Sequence, residues 1–233
     1  DAGIAFRRDD IASEDGAVVA SLRAAGAVFI GRTTAPASAM RAMTSSALHG
    51  LTLNPWNPEI TCGGSSGGAG AATASGIGAL ALGSDIGGSI RWPAHCNGIV
   101  GLRPTVGRVP SVNPSRPGPR MHSGQTMAVE GPMARSVRDI RLGLEVMSRG
   151  DHRDGVWVPA PLVGPSAPRR AALMPAPLGY EVDPACSDAV RQAGKHLAAA
   201  GYEVEEIEVP EFRATAELWE TIGLPQLNLS LVP

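Results

Sequence analysis

The sequence predicts an α/β fold with a partly parallel sheet. Three observations predict it. Short apolar runs recur along the chain, amphipathic segments at helical spacing stand between them, and clusters of Gly and Pro separate the two. With 233 residues, the chain can bury a sizeable core as one large domain or two small ones.

The elements follow in order. Residues 13–25, "SEDGAVVASLRAA", read as a helix, with Ser13 as N-cap and Val18 and Leu22 on one face. Gly26 closes it as the residue after the cap. "AVFIG" at 27–31 reads as a short buried strand. A loop carrying Pro36, Pro55 and Pro58 then leads to "TCGGSSGGAGAATASG" at 61–76. The end of that stretch holds only small residues and suits a helix packed close to other backbone. "GALALGSD" at 78–85 reads as a strand, followed by a second glycine turn, "IGGS". Residues 105–130 read as loop, with four prolines from Pro110 to Pro119. Ser136 to Arg149 reads as a helix: Ser136 caps it, Asp139 lies three residues on, and Ile140, Leu144 and Met147 share a face. Residues 151–168 read as a Pro-rich linker. "RAALMP" is a strand candidate, and Asp183-Pro184 opens a further helix that Gly201 ends. "YEVEEIEV" alternates as an edge strand. The pattern breaks off at Val232-Pro233, so the C-terminus is expected to continue.

Composition narrows the function. A net charge of −2 gives no reason to expect nucleic acid or an anionic membrane surface. No apolar run reaches the roughly 18 residues of a membrane span, and no secretory signal pattern opens the chain. Cys62, Cys96 and Cys186 are an odd, sparse set that reads as reduced thiols in a cytoplasmic protein. Of 20 basic residues, only Lys195 is a lysine.

The first glycine stretch sets the chemical question, because it carries Ser65 and Ser66 on a permissive backbone. A phosphate-binding loop needs a lysine after the glycines, and none is near. The dinucleotide spacing G-x-G-x-x-G is absent. A flexible linker is a poor fit inside a packed helix-strand pattern. Gly63 to Gly67 fits the nucleophile elbow G-x-S-x-G, which would make Ser65 the nucleophile of a Ser-His-Asp esterase. Yet none of His49, His95, His122, His152 and His196 stands in a context that marks a base.

The second turn adds what the elbow leaves out. "GSDIGGSIRWPAHCNGIVGLRPTVGRVP", residues 83–110, places Ser89 24 positions after Ser65. Together with GGSSGG, this run closely resembles the amidase signature family. The match is dense from Gly63 to Val109 and looser through "LRAAGAVFIGRT", "LNPWN" and "GPMARSVRDI". The resemblance implies a mixed, largely parallel central sheet flanked by helices. It implies one amidase-signature domain over 1–233, lacking an N-terminal lysine-bearing segment and part of the C-terminal half. It implies a Ser–cis-Ser–Lys triad that cleaves a carboxamide through an acyl-enzyme, with no metal or organic cofactor. Carried over by position, Ser89 is the nucleophile and Ser65 is the bridging serine, preceded by a cis bond. Backbone N–H groups of Ile86, Gly87, Gly88 and Ser89 form the oxyanion hole. Asp85 and Arg91 read as charged supports for that turn, or as a plain ion pair. Ser66 has no chemical role assigned by the motif.

This chain departs from the family pattern at two places. Cys62 stands where the family usually has proline, and reads as a small buried thiol. Arg32-Thr33-Thr34 replaces the commoner Lys-Thr-Asn. Lys195 lies in "AVRQAGKHLAAAG", a helix after the linker, and reads as solvent-facing. The family's lysine would precede Asp1.

The substrate expected is a small-molecule amide. Met40, Met43 and Leu48 in loop 40–53 suggest apolar acyl groups. Rival readings are a non-catalytic homologue and the glutamine-hydrolysing subunit of a tRNA amidotransferase, whose usual version of "GLRPTVGRVPSVNP" contains a tyrosine. A homodimer stays open.

Overall fold

The computed structural model describes residues 3–114, 122–177 and 180–225. Residues 115–121 of the expected loop and the Val232-Pro233 end lie outside them. The chain divides into two compact units, 1–162 and 163–233.

The first unit holds a three-stranded sheet in the order β3-β5-β4, with β3 at Leu80–Asp85, β4 at Val100–Gly101 and β5 at Val129–Ala134. Both pairings are antiparallel, with Gly83 opposite Gly131 and Gly101 opposite Met133. Helix α2 (Gly67–Ala74) packs on β3 and β5, and against α3 (Arg91–Asn97). Helix α5 (Val137–Met147) packs on the sheet and on α1 (Ala17–Ala24). A hairpin of β1 (Ser45–Ser46) and β2 (Gly50–Leu51) precedes the first glycine stretch, and α4 covers His122–Met127.

Two apolar clusters hold this unit. Ala69, Ile90, Ala94 and Met133 join α2, α3 and β5. Val18, Val109 and Met147 join α1 and α5. Ile90 and Met133 are fully buried. Each contributes about 1.5–3 kcal/mol through that burial. Ile90 follows Ser89 directly, so the first cluster also fixes the second glycine turn.

The second unit pairs β6 (Arg170–Leu173) parallel with β7 (Glu203–Glu206), and packs α6 (Pro184–Ala199) on both. Asp183 caps α6 by accepting from Ala185 N–H (2.8 Å). Helix α7 (Glu211–Leu218) and one π-helical turn, Trp219–Gly223, follow. Lys195 is exposed on α6. No helix among the described residues is long and apolar enough to cross a membrane.

Three expectations need correction. Helix α1 starts after Gly16, not Ser13; Gly16 sits against Val112 and Ala17 N–H donates to the Val112 carbonyl (3.4 Å). Residues 27–31 form no strand, because no described segment pairs with them; Val28 is 84% and Ile30 68% exposed. Within the expected loop 105–130, residues 122–127 are helix and residues 129–130 begin strand β5. The other elements stand where expected, including Gly26 and Gly201 in the left-handed region after their helices.

Candidate active site

The two glycine-rich segments meet. Ser66 N–H donates to the Ser89 carbonyl (3.1 Å). Ser66 Oγ accepts from Ser84 N–H (3.2 Å) and donates to the Ser84 carbonyl (3.4 Å), joining the start of α2 to β3. That is a structural task for a serine to which the motif gives no chemistry.

Close packing explains the glycines of the first segment. The Gly64–Ser65 peptide bond is cis, as the resemblance implies. A Cβ on Gly64 would collide with the backbone of Arg41 to Met43. Gly63 has φ +77°, and a Cβ there would lie 2.7 Å from Pro93 Cα. Asn97 Nδ2 donates to the Cys62 carbonyl (2.7 Å) and the Pro93 carbonyl (2.8 Å), so α3 is fastened to the same segment. Ser65 is 3% exposed, whereas Ser89 is half-buried. Neither Ser65 Oγ nor Ser89 Oγ makes a hydrogen bond among the described residues.

Asp85 shapes the second turn from the end of β3. Its side chain is wholly buried, while that of Arg91 is 55% exposed. The carboxylate accepts from Gly88 N–H (2.9 Å), Ile90 N–H (3.0 Å) and Arg91 N–H (3.3 Å). The Arg91 guanidinium closes on both oxygens at 3.1 and 2.9 Å. Burial by itself would push the Asp85 carboxyl up. The Arg91 bonds and the N–H groups of Ile90 and Gly88 outweigh it and hold the carboxyl below its ordinary range. The pair is therefore not a plain surface ion pair.

Gly88 N–H is committed to Asp85, so it does not point into an oxyanion site here. Gly88 has φ +115°, which turns the chain so that this bond can form. The N–H groups of Ile86, Gly87 and Ser89 have no partner among the described residues. Three donors left unpaired on one turn can receive a developing negative oxygen.

Sequence reasoning missed two contributors. Arg103 lies 3.5 Å from Asp85 Oδ1 and donates to the Met127 carbonyl (2.7 Å). Thr44 is buried against the first glycine segment. Arg103 lies within the 83–110 run but at a position to which the resemblance gives no role, and Thr44 lies in loop 40–53 without a motif; both act through folded contacts.

Cys62 is buried, and its Sγ donates to the Thr52 carbonyl (3.2 Å). Burial pushes the Cys62 thiol up, away from a reactive thiolate. Among the loop residues expected near substrate, Met43 lines a pocket of about 140 Å³ with Leu51, Leu53, Pro58 and Ile60; Met40 and Leu48 do not. That volume is below the roughly 300 Å³ at which small-molecule sites begin. His95 stacks on Trp92, and no cluster of metal-binding side chains occurs among the described residues.

Fold and site together define an α/β protein that presents one serine on a glycine turn beside a second, enclosed serine. The chain belongs to the Amidase family, whose model matches residues 2–226. It is 52% identical over 219 residues to an indoleacetamide hydrolase of Bradyrhizobium diazoefficiens, covering 93% of this chain and 42% of that protein. The structure is similar to 6-aminohexanoate cyclic dimer hydrolase in complex with substrate, with a TM-score of 0.72, 36% identity, and coverage of 84% of this chain and 42% of that one. It is also similar to a glutamyl-tRNA(Gln) amidotransferase component from Thermotoga maritima, with a TM-score of 0.83, 28% identity, and coverage of 100% of this chain and 52% of that one. The chain spans about half the length of the relatives it matches.

Proposed function

We infer that the protein hydrolyses a carboxamide to a carboxylate and ammonia or an amine, with Ser89 as nucleophile. The carrying observation is the turn 86–89, pinned by buried Asp85 with three N–H groups left unpaired. Ser89 Oγ attacks the amide carbonyl and the carbonyl electron pair moves to oxygen. The Ser89 proton passes to Ser65 Oγ, and Ser65 passes its own proton to a base. N–H groups of Ile86, Gly87 and Ser89 receive the oxyanion. Collapse breaks the C–N bond, and the departing nitrogen takes a proton back along the same path. Water then cleaves the Ser89 ester and restores the serine.

The base in this reading is a lysine amine outside these 233 residues. Burial lowers a lysine's pKa enough to leave a neutral amine near pH 7, whereas arginine stays protonated. Lys195 is exposed on α6, which argues against it. The relay suits Ser65, enclosed but unbonded, better than the esterase reading does.

The substrate class is an arylacetamide such as indole-3-acetamide, on the 52% identity to an indoleacetamide hydrolase. Identity to a glutamyl-tRNA(Gln) amidotransferase component of Azotobacter vinelandii is 39%, which makes glutamine the lesser candidate. The free thiols fit a cytoplasmic setting. Ammonia release from indole-3-acetamide, glutamine and aliphatic amides, measured on the native full-length protein, tests the reading. It predicts the highest kcat/KM on the arylacetamide. Turnover of glutamine alone would overturn the substrate class, and turnover of no amide would overturn the activity.

A further inference from the structure

We propose that Thr44 is a positioning residue for the Ser65 hydroxyl, a role that rests on the proton-relay reading of Ser65. Thr44 is 1% exposed. Its Oγ1 donates to the Gly63 carbonyl (2.9 Å) and accepts from Gly67 N–H (3.1 Å). The same oxygen lies 3.5 Å from the Ser65 carbonyl. One side chain thus brackets Ser65, holding the backbone two residues before it and two residues after it.

The clamp has its own support. Thr52 N–H donates to the Thr44 carbonyl (2.9 Å). The Thr52 hydroxyl meets the Thr34 hydroxyl at 2.7 Å. Thr44 is therefore held by the β1–β2 hairpin and cannot simply follow a drifting Ser65.

Ser65 needs such a clamp for a chemical reason. A relay hydroxyl must keep its proton and a lone pair free for its neighbours, so it cannot be aimed by strong bonds of its own. Ser65 Oγ makes none among the described residues, and its direction comes from the backbone on either side. Thr44 fixes that backbone at both ends. A displacement of about 1 Å in a reacting group can cost about 100-fold in rate.

Thr44→Val keeps the side-chain volume but loses both hydrogen bonds. Thr44→Ser keeps the hydroxyl. In the native full-length protein, Thr44→Val should lower kcat about 10- to 100-fold with KM within about twofold, and Thr44→Ser should stay within about threefold of wild type. In a Ser65→Ala background, Thr44→Val should not change the residual rate further. That last readout separates positioning of Ser65 from a general packing role. Wild-type kcat in a folded Thr44→Val, or the same extra loss in the Ser65→Ala background, would overturn the proposal. If Thr44→Val does not fold, Thr44→Ser decides: near-normal kcat supports the clamp, and a folded protein as slow as Ser65→Ala overturns it. Full activity in Ser65→Ala would instead overturn the relay reading itself.

Discussion

Asp85 is a buried carboxylate whose bonds go to the turn that follows it. Its value lies in where it sends the turn. By accepting from the N–H groups of Gly88, Ile90 and Arg91, it fixes the backbone of the turn. Asp85→Ala would orphan these three N–H groups, at about 1–3 kcal/mol each. Asp85 also gives a pH signature. Its folded pKa lies below the ordinary 3.8. A carboxyl depressed on folding adds stability that is complete above the unfolded value, and that drains away as pH falls from there through the folded value. Unfolding free energy should therefore drop as pH falls below about 3.8. Asp85→Asn should make that drop shallower in denaturant titrations across the acid range. An unchanged slope would show that other carboxylates carry it.

Helix α2 makes the reverse of the usual glycine argument. Exposed helix positions gain about 1 kcal/mol when Gly becomes Ala. At Gly68 a Cβ would collide with the Thr34 carbonyl, hydroxyl and N–H, the last at 2.7 Å. Gly68→Ala should therefore destabilise the protein by more than that gain, read as a lowered denaturation midpoint; a raised midpoint would contradict the packing described. The small residues of 70–76 suit a helix packed close to other backbone, and Gly68, just before them, is packed in the same way. The central strand β5 was not legible, because Gly131 and Pro132 argue against a strand. Pro132 is tolerated by its position in the ladder. Its carbonyl accepts from Leu102 N–H on the β4 side, where its missing N–H would also point, and β4 ends at Gly101 opposite Met133. The opposite error fell at 27–31, where β-formers alone suggested a strand. Pairing decides a strand, and local sequence does not contain its partner. The site was more legible than the sheet. Ser65, Ser89 and their glycines announce themselves locally, whereas the contacts of Thr44 with the first glycine segment and of Arg103 with Asp85 exist only once the chain is folded.

At the scale of the whole molecule, the serines, the turn and their supports all lie in the unit 1–162. The described residues of the unit 163–233 contribute a parallel strand pair and the helices α6 and α7. The family match runs through both, over residues 2–226. In the proposed mechanism one of two neighbouring serines, Ser89, forms the covalent bond while the other moves protons. An amide-hydrolase phosphonate probe, applied to the native full-length protein and followed by peptide mapping, tests it most directly. A single adduct on Ser89 is expected, absent in Ser89→Ala and slowed in Ser65→Ala. An adduct on Ser65 that persists in Ser89→Ala would contradict it.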